Sequence, residues 1–226
     1  MRRMALSEYE ALRAGAEVLA ADAHGDKVLR RPDGRIIKLF RLKSLWSSAL
    51  FLPYAKRFVR NTHLLQAKGF RTINVGALAR VKELKRDLVV YEELPGQTLR
   101  SYLQDPATED HAGMLARFAQ LVADLHHQGI LFRSIHFGNI LVQPDRNLAI
   151  IDVADMRRRL FPLRIKPRLR NFHHMLRYAK DRDLLLHIGL PVFLDAYIAT
   201  VKKHANGRAE GMGSAISAKL KTLIEP

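Results

Sequence analysis

The sequence predicts an α+β fold in which a small antiparallel sheet with one helix precedes a mainly helical half. Short segments of alternating apolar and polar residues, separated by turn signals, continue as far as Glu92. Pro95 and Gly96 then interrupt the pattern. After them, apolar residues recur at the three- and four-residue spacing of amphipathic helices. These three observations together indicate two halves of different secondary structure.

The elements of the first half follow from turn signals and capping patterns. Ser7 and Glu10 have capping-box spacing, which predicts a short helix from residue 8 toward residue 16. Residues 32–34 read Pro-Asp-Gly and predict the turn of a hairpin. A longer helix is predicted over 56–67 because apolar residues line one side of it. The predicted strands are 17–21, 26–30, 35–40, 73–81 and 87–92.

The second half alternates helices with one short strand pair. The predicted helices are 98–103, 114–127, 169–180 and 191–204. Two strands, 140–142 and 148–151, flank a turn rich in Pro, Asp and Asn. Three glycines between residues 206 and 214 predict a flexible segment. The predicted domains are therefore 1–94, 95–205 and a flexible tail, 206–226, with room for a short helix.

The charge of the chain is strongly positive. Its 226 residues carry 38 Lys and Arg against 22 Asp and Glu, a formal net charge of +16. No acidic residue occurs from Gly34 through Lys82, and a second basic run lies between Arg157 and Arg170. A solvated face normally mixes both signs, so this pattern favours an anionic partner: nucleic acid, anionic lipid or a phosphorylated substrate.

Several classes of protein are disfavoured by composition. The chain has no cysteine, which excludes disulfides and cysteine-ligated metals. Its start lacks the apolar core of a signal peptide, and no run approaches the roughly 20 apolar residues of a membrane span. The most apolar patch, residues 45–54, fits either a core segment or a membrane-surface contact. The histidines have no metal-site spacing, which disfavours zinc.

The strongest motif consists of two segments in the second half. Residues 125–142 read LHHQGILFRSIHFGNILV, and residues 148–152 read LAIID. Together they resemble the catalytic core of small kinase-fold phosphotransferases, above all the bacterial lipopolysaccharide core kinases that act on heptose or Kdo. The resemblance extends over residues 22–197. It implies a two-lobed, protein-kinase-like fold, with ATP as the phosphate donor.

The resemblance also implies roles for individual residues. Asn139 and Asp152 would ligate Mg²⁺, which prefers hard oxygen ligands; a turn residue and a helix cap are the alternatives. Lys38, flanked by apolar neighbours, would face the nucleotide phosphates, although an outward lysine on an amphipathic strand would look similar. The resemblance implies further nucleotide contacts. The hinge between the lobes would supply Glu92, Glu93 and Leu94, and the loop that covers the phosphates would supply Gly25.

Three departures from the family pattern bear on catalysis. Ser134 stands where the family has its catalytic aspartate, and a serine hydroxyl is a poor base near neutral pH. The helix that should supply a glutamate to Lys38 has no acidic residue, and Asn61 is its nearest polar substitute. The phosphate loop is reduced to one glycine. Asp155 is a hypothetical replacement base, and Arg133 is either an anion contact or a loop strut.

Two functions from different classes follow. The first is a sugar kinase that uses ATP and Mg²⁺ on lipopolysaccharide core or another anionic glycolipid. It would work in the cytoplasm or peripherally on the inner face of the cytoplasmic membrane, with contacts to acidic head groups. The second is a pseudokinase scaffold that binds nucleotide, anionic lipid or a partner enzyme without catalysis. A nucleic-acid-binding domain ranks last, because no recognition motif accompanies the basic charge.

Overall fold

The computed structural model of the chain describes residues 1–42 and 53–204, together with positions 215, 216, 218, 219 and 222. The apolar patch at 45–54 lies outside the described residues except for its last two positions, and the predicted flexible segment at 206–214 lies wholly outside them. The chain divides into two compact units, residues 1–95 with 152–154 and residues 96–151 with 155–226. The predicted α+β class is confirmed, whereas the predicted two-lobed arrangement and its boundaries stay predictions.

The first unit is built on a six-stranded sheet. Its strand order is β1-β5-β6-β4-β3-β2, and every neighbouring pair is antiparallel except β1 with β5, which is parallel. The parallel pair is a departure from the predicted all-antiparallel sheet. The strands are β1 (Arg2–Met4), β2 (Glu17–Asp22), β3 (Gly25–Arg30), β4 (Arg35–Arg41), β5 (Val75–Val81) and β6 (Arg86–Glu92).

Two helices accompany this sheet. Helix α1 (Leu6–Arg13) packs Tyr9 into a core of alternate strand residues that includes Leu29, Ile37 and Leu88. Burying such side chains contributes roughly 1.5–3 kcal/mol each. Helix α2 (Tyr54–Ala67) buries Phe58 against the ring of Tyr91, with the ring centroids 5.8 Å apart.

The second unit is mainly helical. Its helices are α3 (Leu99–Gln104), α4 (His111–His127), α5 (Ile165–Met175), α6 (Ala179–Ile188) and α7 (Leu190–His204). Its short strands form a three-stranded and a two-stranded sheet, and they are β7 (Gln97–Thr98), β8 (Ile130–Phe132), β9 (Ile140–Val142), β10 (Leu148–Ile150) and β11 (Met156–Arg158). Helix α4 packs against α7, and buried rings of Phe118, Phe172, Phe193 and Tyr197 fill the core.

Two sequence predictions about helices are wrong in detail. Ser7 is not an N-cap: the N-cap of α1 is Ala5, which makes no side-chain hydrogen bond, and Ser7 lies inside the helix. The helix predicted over 169–180 is two helices, because α5 ends at Met175 and α6 begins at Ala179. No proline or glycine marks this break, so periodicity alone could not reveal it.

Among the described residues, no single helix has both the length and the apolar composition of a membrane span. Helices α6 and α7 satisfy the two criteria only together, and they meet at an angle of 88°.

Candidate functional site

Lys38 and Asp152 form the central ion pair of the first unit. Lys38 lies in the middle of β4, where alternate residues Ile37 and Leu39 turn into the core. Its Nζ is 2.6 Å from Oδ1 of Asp152, which lies 114 residues away in the chain. Lys38 is 16% exposed and Asp152 is 45% exposed, so the pair is open to solvent on the carboxylate side. The ammonium also lies 5.3 Å from the centre of the Phe58 ring.

Asp152 has an unusual backbone conformation. Its φ angle is +54°, in the left-handed region that residues other than glycine seldom adopt. Aspartate is among the residues that tolerate this region best, yet the conformation still carries strain. Burial, followed by the negative charges of Asp152 and Glu93, raises the pKa of the nearby Tyr91 hydroxyl. The phenol of Tyr91 therefore stays protonated beside the Asp152 side chain.

Asn61 holds the segment that follows Asp152. It lies on α2 and is 2% exposed. Its Nδ2 donates hydrogen bonds to the carbonyl oxygens of Val153 at 2.7 Å and Ala154 at 3.5 Å. The sequence suggested Asn61 as a polar substitute for a lysine-pairing glutamate. Its side chain instead binds backbone, and the acidic partner of Lys38 is Asp152.

Apart from Lys38, the predicted nucleotide contacts lie in two separate segments of the first unit, one at Gly25 and one at residues 92–94. Gly25 begins β3 with a φ of +102° and has open space where a side chain would stand. Glu92 ends β6, and its backbone N–H donates to the carbonyl oxygen of Asn74. Glu93 accepts two hydrogen bonds from Arg30, at 2.6 and 2.8 Å. Leu94 is half-buried. Their contact with a nucleotide stays a prediction.

In the second unit, residues 133–139 form a tight loop between β8 and β9. The side-chain Nδ2 of Asn139 donates to the carbonyl oxygen of Ser134 at 2.8 Å. This bond uses the amide nitrogen and leaves Oδ1 as the atom that a metal ion would take. The carbonyl oxygen of Asn139 accepts from the N–H of Ile151 at 3.0 Å. Ser134 is half-buried.

Arg133 and Asp155 bind each other in two ways. The backbone N–H of Arg133 donates to the carbonyl oxygen of Asp155 at 3.0 Å, and their side chains form an ion pair at 3.5 Å. Of the two roles considered for Arg133, these contacts favour the loop strut. The carboxylate of Asp155 pairs with the guanidinium of Arg133, and its role as a catalytic base stays a prediction.

A buried polar network fixes the beginning of the loop. Asn171 on α5 donates to the carbonyl oxygen of Phe132 at 2.6 Å, and its Oδ1 accepts from Nε2 of His126 at 3.0 Å. Nδ1 of His126 then accepts from the hydroxyl of Tyr197 at 2.8 Å, and that oxygen accepts from Arg168 at 2.9 Å. The chain of donors leaves His126 neutral. Burial, and then the charge of Arg168, lowers its pKa to about 3.

This network predicts an acid-sensitive fold. The unfolded chain binds a proton on His126 near pH 6.5, whereas the native chain does so only near pH 3. Stability from this group is therefore complete above pH 6.5 and declines as the pH falls toward 3. We expect the free energy of unfolding to fall by about 2 kcal/mol between pH 7 and pH 5 on this account. Urea titrations at both pH values measure it.

His126→Gln should be less stable at pH 7 but should show a shallower pH slope than the wild type. His63→Gln, at an exposed position of α2, is the matched control and should keep the wild-type slope. Equal slopes in wild type and His126→Gln would contradict the assignment.

Asp181 fixes the end of the loop. It is 1% exposed and accepts two hydrogen bonds from Arg100, at 2.6 and 3.1 Å, and a third from the backbone N–H of Phe137 at 2.8 Å. The hydrogen bond from Arg100 to Asp181 raises the pKa of the Arg100 guanidinium. Neither Asp181 nor Asn171 was predicted from the sequence. They lie on α6 and α5, which follow the motif in the chain, and nothing in their spacing indicates the contact.

Two features bear on metal binding. Within residues 1–42 and 53–204, no group of three His, Asp or Glu side chains is arranged to hold an ion. The predicted donor set is smaller and consists of oxygen atoms, a carboxylate from Asp152 and an amide oxygen from Asn139. Oxygen atoms of these two kinds are ligands that Mg²⁺ prefers, and the binding of one ion by both residues stays a prediction.

A family model described as "Lipopolysaccharide kinase (Kdo/WaaP) family" matches residues 6–191. No curated protein matches the chain. The matched range includes every residue that the sequence motif singled out, from Gly25 to Asp155.

Proposed function

The chain belongs to the lipopolysaccharide kinase (Kdo/WaaP) family, and from this membership we propose that it transfers the γ-phosphate of ATP to a heptose or Kdo hydroxyl of the lipopolysaccharide core. The acceptor is part of a lipid, so the reaction is proposed to occur at the cytoplasmic face of a membrane. The observation that carries the proposal is the 2.6 Å contact between Lys38 and Asp152. It unites the two charged residues that phosphoryl transfer most needs, one for phosphate oxygens and one for a metal ion.

Each residue would have a defined task. Lys38 would bind phosphate oxygens of ATP through its ammonium group, which lies 2.6 Å from Asp152 and 5.3 Å from the centre of the Phe58 ring. Asp152 and Asn139 would supply oxygen ligands to Mg²⁺. The bound ion would neutralise charge that develops on the transferred group. Asn61 would keep Asp152 in place through the carbonyl of Val153.

The proposed step balances without a further reactant. The acceptor hydroxyl oxygen forms a bond to the γ-phosphorus, and the bond from that phosphorus to the bridging oxygen of ADP breaks. The hydroxyl proton passes to solvent or to a phosphoryl oxygen, because Ser134 carries no carboxylate to accept it. The transition state of such transfers is loose, and positioning and electrostatic stabilisation provide most of the rate.

A pseudokinase scaffold is the second candidate function. Two features favour it. Ser134 replaces the catalytic aspartate of the family, and Asn61 binds a backbone carbonyl, whereas active kinases have a glutamate on this helix that pairs with the strand lysine. In this case the chain would bind nucleotide, anionic lipid or a partner enzyme, and no phosphate would be transferred.

The two functions separate when nucleotide binding and transfer are measured on the same protein. Mg²⁺·ATP at about 100 times its Kd should stabilise the fold by about 2.7 kcal/mol, visible as a rise in melting temperature. Transfer is then measured with labelled ATP and dephosphorylated core oligosaccharide. Stabilisation with transfer supports the kinase, and stabilisation without transfer supports the scaffold. No stabilisation would contradict the nucleotide site itself.

Ser134→Asp should raise the transfer rate by about 10²-fold, because it restores a base of the kind that contributes this much to proton transfer. Ser134→Asn is the matched control, with the same shape but no basic oxygen, and should leave the rate at the wild-type level. A rate that is equal in the two variants would show that proton removal at this position does not limit the reaction.

A further inference from the structure

The second unit has a strongly cationic face between residues 156 and 180. This segment has nine Lys and Arg and no Asp or Glu. Burial, followed by the positive charges of Arg133, Arg170 and Arg177, lowers the pKa of His174. In the described part of the chain, no carboxylate lies within ion-pair distance of six exposed cations of this segment, which are Arg157, Arg158, Arg159, Arg164, Lys166 and Arg170.

Two apolar side chains stand at the centre of these cations. Leu160 is 86% exposed and Phe161 is 78% exposed, the highest values among the large apolar side chains that the structure describes. Leu163, two residues further on, is 1% exposed. The same short loop therefore sends one apolar side chain into the core and two into solvent. Exposing two adjacent large apolar groups has a cost in water that a folded loop normally avoids.

The loop is held firmly at both ends. Strand β11 pairs with β8, and the N–H of Arg159 donates to the carbonyl oxygen of Gly129 at 2.8 Å. At the other end, the N–H of Leu163 donates to the backbone carbonyl oxygen of His126, and Nε of Arg168 donates to the carbonyl oxygen of Leu163. Gly129 permits this close approach: it has a φ of +73°, and a Cβ there would lie 2.5 Å from the carbonyl oxygen of Arg159.

A cleft of about 690 Å³ adjoins the loop. Its apolar lining includes Leu131 and Ile165, and its charged groups are Arg159, Arg164, Lys166 and Arg170. An apolar lining with cations around it is the arrangement that accepts an amphiphile with a phosphate head group and apolar chains.

We propose that this docking face, comprising Arg157–Arg159, Leu160, Phe161, Arg164, Lys166 and Arg170, binds the surface of a lipid bilayer that contains anionic phospholipid. Leu160 and Phe161 enter the boundary between head groups and acyl chains, and the surrounding cations bind lipid phosphates. None of these residues belongs to the proposed phosphoryl-transfer site, so the docking face is a second binding site on the chain.

A bilayer fits this face better than other polyanions do. A soluble phosphate would satisfy the cations but would leave Leu160 and Phe161 in water. Nucleic acid would engage the cations and could stack on Phe161, but it offers no apolar phase for Leu160. A membrane surface, by contrast, satisfies both the charge and the exposed apolar pair.

The experiment is flotation of the full chain with two kinds of vesicle, phosphatidylcholine alone and phosphatidylcholine mixed with phosphatidylglycerol, in the absence of nucleotide. Wild type should float only with the mixed vesicles. Leu160→Ser/Phe161→Ser should lower the partition coefficient about tenfold. Arg164→Gln/Lys166→Gln should lower it about tenfold or more. All changed side chains are exposed, so melting temperatures should match the wild type.

Matched controls come from the turn between β5 and β6 in the other unit. Lys82→Gln/Lys85→Gln removes the same number of exposed charges, and Leu84→Ser removes an exposed apolar side chain. Both should bind vesicles within about twofold of wild type, as expected for charges outside the contact. Equal losses in control and docking-face variants would overturn the proposal, because net charge alone would then explain binding.

Two other results would also overturn it. No flotation with mixed vesicles would exclude the bilayer, and full displacement from vesicles by inorganic phosphate or single-stranded DNA at physiological salt would identify a soluble polyanion instead. Because no nucleotide is present, these outcomes are independent of the proposed kinase activity.

Discussion

Asp152→Asn should abolish phosphoryl transfer, with a loss of about 10³-fold or more. The change keeps the shape of the side chain but removes the negative charge that lies 2.6 Å from Lys38. A neutral amide binds Mg²⁺ more weakly than a carboxylate does, and it leaves the ammonium of Lys38 without its charged partner. The measurement is Mg²⁺-dependent ATP affinity by calorimetry, followed by transfer to core oligosaccharide. If the protein is a scaffold that transfers no phosphate, the loss of Mg²⁺-dependent ATP affinity in the variant is the result that tests the prediction.

Asp155→Asn is the matched control for Asp152→Asn. It changes a carboxylate three residues away, one that pairs with Arg133 at 3.5 Å. Mg²⁺-dependent ATP affinity should remain at the wild-type level in this variant. A loss of transfer with unchanged ATP affinity would identify Asp155 as the missing base, and an unchanged rate would eliminate that hypothesis. If Asp152→Asn bound Mg²⁺·ATP like the wild type, the assignment of Asp152 to the metal would be wrong.

Asp181→Ala should destabilise the fold by about 3–5 kcal/mol, because it removes a buried carboxylate that accepts three hydrogen bonds. It removes the bidentate partner of Arg100 and leaves the buried N–H of Phe137 without an acceptor. For a chain of this size, the melting temperature should fall by about 10 °C. Urea unfolding followed by circular dichroism gives the free energy directly.

Asp183→Ala controls for the loss of an aspartate from the same helix. Asp183 is 69% exposed and lies 3.9 Å from Arg182, so its removal should cost less than about 0.5 kcal/mol. Similar losses in the two variants would show that Asp181 does not hold the loop. The loop matters because Asn139, two residues beyond Phe137, is the predicted metal ligand of this unit.

Elements with strong local signals were predicted well from the sequence. The strands from Glu17 to Arg41 and the helix α4 have clear periodicity and turn residues at their ends, and each is present within a few residues of its predicted bounds. The missed strands β1, β7, β8 and β11 have two or three residues each, too few for periodicity to appear. They form because distant segments supply their hydrogen-bonding partners, as Ala79–Val81 does for β1.

The candidate site divides in the same way. Lys38, Asn139 and Asp152 were predicted because they match fixed positions in the pattern of the family that the chain resembles. Their supports were missed because each acts across a long stretch of chain. Asn61 reaches Val153 from 92 residues away, and Asp181 reaches Phe137 from 44 residues away. The absence of a glutamate on α2 was visible in the sequence, but the backbone contact that Asn61 makes in its place was not.

The two edge strands of the six-stranded sheet differ in how well they are protected against pairing with a second copy of the chain. At one edge, β1 has three residues, and two of them are arginines, which repel a second copy. At the other edge, β2 has six exposed residues, including Val18 and Leu19, between Glu17 and Asp22. Its register shifts near Ala20, so a flat strand-to-strand contact is interrupted there. Because β2 is the longer edge strand and exposes two apolar side chains, aggregation at high concentration should begin along β2. Leu19→Lys should raise the solubility limit without changing the core.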